Sequence, residues 1–150
     1  MVSKIHLEYE KDFYAWAVHN AELIRQGKFS EIDVEHVAEE IESMGKSERR
    51  ELVNRLAVLI AHLLKWQFQS IKRSRSWLVT IENQRLGIAD LLEESPSLHH
   101  ELRERFFHAY ERAILIASEQ TGIEKSVFPK FCQFSFDQCL KNDFLPGQEI

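Results

Sequence analysis

A chain of 150 residues can bury about two-thirds of the surface its unfolded form exposes, and one domain is the natural count. With 44% hydrophobic and 29% charged residues the balance is that of an ordinary globular protein, not of a disordered or fibrous one. The net charge of −5, from 19 Lys and Arg against 24 Asp and Glu, works against non-specific attraction to nucleic-acid phosphates or anionic lipid.

Helical periodicity runs through the chain, with no alternation of the kind a strand would show. Tyr9, Phe13, Trp16, Ala17, Ala21 and Ile24 mark one face of a first helix over about 9–26, and Gly27 supplies its left-handed end. Asp33 is a good N-cap for a second helix, whose Val34, Val37, Ala38, Ile41 and Met44 form a narrow apolar stripe among acids before Gly45. A third helix spans about 47–68, or continues the second through Gly45. Leu52, Leu56, Leu59, Ile60 and Leu63 line one of its faces, and Ala57, Val58, Ala61 and Leu64 make the other apolar as well. A helix apolar all round must be covered on more than one side, so this is the expected central helix. After a basic connection over 70–75, a fourth helix starts near Ser76 and carries Trp77, Leu78, Ile81, Ile88, Leu91 and Leu92, with Gly87 allowing a close approach. Ser95 and Pro96 predict the cap and first position of a fifth helix, which carries Leu98, Leu102, Phe106, Ala109, Ala113 and Ile116 as far as Gly122. The tail holds Phe128, Phe131, Phe134, Phe136 and Phe144, and Ser135 with Gln138 makes a capping box for a short last helix. The expected fold is therefore all-α: a compact bundle of about five main helices in one domain over 1–150, with a docked Phe-rich C-terminal segment. Its ordered core is expected over about 9–145, and 146–150 are expected to fray.

Cys132 and Cys139 fit neither a disulfide framework nor a Cys-x-x-Cys site, and reduced thiols are expected. The longest apolar run, Leu56 to Leu64, is interrupted by His62 and is too short for a bilayer. With no apolar signal core at the N-terminus, a cytoplasmic location and no membrane partner are expected.

Several phrases recur in an order that is specific when taken together: Asp12-Phe13-Tyr14-Ala15-Trp16, Ala38-Glu39-Glu40-Ile41-Glu42-Ser43-Met44-Gly45 and His62-Leu63-Leu64-Lys65-Trp66. Arg75-Ser76-Trp77, Thr80-Ile81, Gln84-Arg85, Ser95-Pro96-Ser97-Leu98 and Asp143-Phe144-Leu145-Pro146 follow. In these the chain resembles domain of unknown function family 29 over nearly its whole length. The resemblance implies a small bacterial protein, of a kind frequent in cyanobacteria, with a compact helical fold. It implies no assigned activity and transfers no catalytic residue. Lys130-Phe131-Cys132-Gln133-Phe134 departs from the more acidic, proline-containing stretch usual in that family.

The residues themselves offer three functional readings. Glu35, Glu39, Glu40 and Glu42 with His36 are the densest acidic group, but at 100° per residue His36 and Glu39 point outward while Glu40 and Glu42 flank the stripe on opposite sides. They cannot converge on one ion, no Glu-x-x-His pair of a di-iron bundle occurs, and no metal or cofactor is expected. His62 lies at the edge of an apolar face, where a packed histidine outweighs a ligand or a base. No serine or cysteine sits in a Gly-rich elbow, so no enzyme class is nominated. Lys72, Arg73 and Arg75 beside Trp66 and Trp77 have the composition of a phosphate-tracking, base-stacking patch; Lys65 is expected to be solvated and the tryptophans to lie inside, which leaves nucleic acid disfavoured. Arg85 falls within the apolar face of the fourth helix and requires a partner, for which Glu40 or Glu42 is expected, with Gln84 as a further donor.

The leading expectation is a non-enzymatic protein-interaction module that self-associates as a dimer through the excess apolar surface of the third helix. An unidentified protein is a further possible partner. The alternative is a ligand or catalytic pocket built from Glu40, Glu42, His62 and Arg85, within a polar cluster that also takes in Glu39 and Gln84. The second alternative is a nucleic-acid-associated module using Lys72, Arg73 and Arg75.

Overall fold

A computed structural model describes residues 4–147, with side chains from residue 8 onward. The described residues form seven α-helices and two 3₁₀ turns, with no strand among them, and the fold is all-α. They divide into two compact units, the first ending at Ser47 and the second beginning at Glu48. Of the segment expected to fray, Pro146 is buried, and residues 148–150 lie outside the described residues.

The first unit is built from α1 (Lys4–Lys11), α2 (Phe13–Arg25) and the start of α3 (Val34–Phe68). The single helix expected over 9–26 is two. Asp12 separates them, because its Oδ1 accepts the Ala15 N–H at 3.1 Å and caps α2 instead of letting α1 run on. Gly27 ends α2 at φ +73°, and the Lys28 N–H returns to the Leu23 carbonyl at 2.9 Å, satisfying one of the carbonyls a helix end leaves open. Trp16 and Leu23 are buried, with Tyr9, Ala17, Ile32 and Val37 packed around them.

Of the two readings the sequence left open, the continuation holds: the second and third helices are one, since α3 is unbroken from Val34 to Phe68. Gly45 does not stop it. A glycine ends a helix by turning left-handed, and Gly45 is not among the glycines with positive φ.

In the second unit, the later part of α3 is the buried axis: Leu52, Leu56, Leu59, Ile60 and Leu63 are at most 1% exposed, as are Ala57, Ala61 and Leu64 on its other face. Its second apolar face is thus covered by the chain's own residues except at Val58, which is half-buried. α4 (Arg75–Glu94) runs antiparallel to it, since Arg55 bonds Gln84 at one end while Lys65 lies over Trp77 at the other. The sequence starts α4 at Ser76, but Ser74 is the cap and its hydroxyl accepts the Trp77 N–H. Gly87 is where the Arg55 side chain crosses α4; a Cβ there would lie 2.6 Å from its Nη1.

The expected fifth helix is also two, α5 (Leu98–Glu104) and α6 (Phe106–Thr121). At Arg105 one N–H is shared between the carbonyls of Glu101 and Leu102, each at 3.2 Å, so the last turn of α5 tightens before α6 begins. Ser95 caps the end of α4 rather than starting a helix, and its hydroxyl donates to Glu48. α6 lies alongside α3 in the same direction, tied by Arg112 to Asn54 and by Lys65 to Gln120. Gly122, at φ +78°, closes it.

The tail then packs its rings into the unit. Phe128, Phe134 and Phe136 are buried, and α7 (Phe136–Leu140) begins with the predicted Ser135–Gln138 capping box. Tyr110, with no exposed surface, donates its hydroxyl to the Pro129 carbonyl at 2.5 Å, and burial pushes its pKa up to about 12.

Candidate functional site

The six residues of the expected polar cluster are distributed over both units, and those with bonded partners find them nearby. Glu39 and Glu42 are exposed on α3. Glu40 accepts the Tyr9 hydroxyl at 2.5 Å, and this bond holds the Tyr9 pKa up at about 12. In the second unit, His62 is half-buried and its Nδ1–H donates to the Val58 carbonyl one turn back at 2.9 Å. Burial disfavours its charged form, which lowers its pKa, and the neutral ring acts as packing. Gln84 accepts from Arg55 at 3.3 Å.

Arg85 is 5% exposed, as its place in the apolar face requires, but its expected carboxylate is replaced by main-chain oxygens. Nε donates to the Cys139 carbonyl at 2.8 Å, Nη1 to Asn142 at 3.2 Å and Nη2 to Phe144 at 2.7 Å. The physical reason is the end of α7. Cys139 lies in its last turn, where a carbonyl has no helical partner, Asn142 and Phe144 follow in the chain just beyond, and a guanidinium offers a planar fork of donors to all three. Arg85 therefore anchors the tail, and the groove of about 520 Å³ beside it is lined by Leu78, Ile81, Leu86 and Leu145 with Glu82 and Asp143.

The basic segment is placed on the surface, with Lys72, Arg73 and Arg75 exposed. Arg73 folds back: its Nε donates to the Trp66 carbonyl at 2.8 Å and its guanidinium lies 4.8 Å from the Trp66 ring centre. Lys65, expected in solvent, is 7% exposed, bonds Gln120 at 2.9 Å and covers the Trp77 ring at 4.8 Å. Burial lowers its pKa. Each of these half-buried tryptophans thus has a ring face taken by a cation of its own chain.

The densest polar network is one that the sequence reading did not assemble. Asp33 has no exposed surface, and its Oδ2 accepts from Trp16 Nε1 at 2.9 Å and lies 2.7 Å from His36 Nδ1. Asn20, also buried, accepts the Asp33 N–H at 2.8 Å and donates to the Trp16 carbonyl. The Tyr9 ring stacks on His36 at 3.9 Å between centres. Burial works to raise the Asp33 pKa, but the hydrogen bonds from His36 and Trp16 outweigh it and hold the carboxyl below the usual range; the same bond raises His36. Two signals in the sequence point here: a polar Asn20 within the apolar face of α2, and a His three residues after a capping Asp. The network ties α2 to the start of α3 by bonds internal to the unit, and among the described residues no group of three His, Cys, Asp or Glu is placed to hold a metal.

The first unit also leaves apolar side chains open to solvent among its exposed charges. Val34, Ile41 and Met44 are 62%, 64% and 71% exposed on α3, and Phe13, Tyr14 and Val18 are exposed on α2. No described helix is long and apolar enough to cross a membrane. No curated protein and no solved structure matches the chain. One family does match, over residues 8–145, and the chain accordingly belongs to the family described as Domain of unknown function DUF29.

Proposed function

We propose that the protein is a non-enzymatic helical interaction module whose partner is a second copy of itself. The observation that carries this reading is the open stripe on the first part of α3. Val34 and Ile41 lie about 20° apart around the helix, with Met44 about 60° beyond, so the three form one surface. A stripe of this kind normally faces a core. Here Val37 alone turns to the unit's core, while Val34, Ile41 and Met44 are 62%, 64% and 71% exposed, and exposed neighbouring apolar side chains of that sort mark interaction sites. The excess surface at 58–64 gives no support, because Ala61 and Leu64 are buried within the chain.

Sedimentation velocity across a wide concentration range tests the reading. Wild type should show concentration-dependent association, and the double variant Ile41→Asp, Met44→Asp should not. Because both positions are exposed, the double variant should unfold within about 1 kcal/mol of wild type. A wild type that stays monomeric throughout, or a double variant that associates equally well, would overturn the proposal.

A further inference from the structure

Resting on the self-association just proposed, we infer that the α3 stripe of one copy docks in a groove on the second unit of another, between α6 and the segment 125–131. The groove has a volume of about 580 Å³ and is floored by Phe107, Ile114, Leu115 and Pro129. Phe107 and Leu115 are 48% and 50% exposed, so half of each is available to a partner. Phe131 extends the apolar floor, with its ring 5.8 Å from that of Phe107.

Two features select the acidic stripe as occupant. The first is length: Val34 to Met44 rises about 15 Å along α3, and Phe107 to Leu115 rises about 12 Å along α6, so a helix laid in the groove covers it with one set of anchors. The second is charge. Glu35 and Glu42, both exposed, border the stripe on one side, while Lys125 and Lys130 border the groove against a single acid, Glu111. Such rim pairs set orientation and encounter more than affinity, which comes from the apolar contact.

Stripe and groove are different surfaces, so the contact is head-to-tail. A pair formed this way still presents one unused stripe and one unused groove, and association continues into a ring or chain.

A mixing experiment reads this directly. Ile41→Asp with Met44→Asp removes the stripe, and Leu115→Asp removes the groove; circular dichroism checks that both variants fold. Each variant alone should be monomeric by sedimentation, while wild type forms species larger than a dimer. An equal mixture should give a heterodimer and nothing larger, since only one good stripe and one good groove remain. Lys130→Glu, an exposed substitution that leaves the floor intact, should weaken wild-type association about threefold and chiefly slow it, and adding Glu42→Lys should restore it. If the stripe variant is monomeric but Leu115→Asp and Lys130→Glu both assemble like wild type, the groove assignment is wrong and a stripe-to-stripe contact stands. A mixture that stays monomeric also overturns the groove assignment. A wild type that never associates overturns this inference and the self-association beneath it together.

Discussion

Arg85 meets its need for acceptors with three main-chain oxygens, and the choice has consequences for stability. Arg85→Ala would leave those carbonyls without their charged donor in a largely buried place, costing about 3 kcal/mol. Arg85→Lys keeps the charge but cannot reach three acceptors at once, and should recover part of that loss. Urea unfolding of the three proteins checks the order. A residue-scale pH dependence follows from Asp33 and His36. The raised His36 pKa adds stability that is fully present below its unfolded value, about 6.5, and is lost as pH rises through the higher folded value. The lowered Asp33 pKa adds stability present above about 4 and lost as pH falls through the lower folded value. These two groups therefore favour a maximum between about pH 4 and 6.5. Glu35 and Glu39 add to the attraction on His36. His36→Gln should flatten the alkaline side of the denaturation-versus-pH curve and also weaken the acid side, because the His36 bond leads the interactions that hold Asp33 low.

At the scale of elements, the helices whose ends rest on local chemistry were readable in advance. Gly27 and Gly122 are left-handed where the periodicity stops, and Ser135 with Gln138 forms the capping box their spacing implies. Ser135→Ala should cost about 1 kcal/mol and loosen α7, seen as faster amide exchange over 136–140. The misread ends are those where two outcomes compete for the same residues. Asp12 sits inside a good apolar period, and only its side-chain bond to Ala15 shows that capping wins over continuation. Ser95-Pro96 has the composition of a helix start but serves as the end of α4, and Gly45 suits a stop yet stays helical because the residues on both sides of it do. The partner of Arg85 was unreadable for a different reason. Its acceptors lie 54 to 59 residues away and are backbone atoms, which carry no residue-type signal. Lys65 was misplaced because its helix position says which way the side chain starts, whereas its stem crosses to Trp77 and Gln120.

For the molecule as a whole, the sequence reading reached the helical class and the central place of residues 52–64, since an all-round apolar helix has one stable solution. The surface expected to drive self-association, the second apolar face of the later part of α3, is largely buried. Ala57, Ala61 and Leu64 of that face are buried in the second unit, whereas Val34, Ile41 and Met44 of the earlier stripe are exposed. That inversion moves the expected partner surface to the first unit, where acids border apolar residues. The most direct test is sedimentation velocity of wild type beside Ile41→Asp, Met44→Asp, from about 1 to 500 µM, a range that spans the affinities of weak and moderate interfaces. The sedimentation coefficient should rise with concentration for wild type and stay at the monomer value for the variant. A wild type that holds the monomer value across the whole range would contradict the proposed self-association.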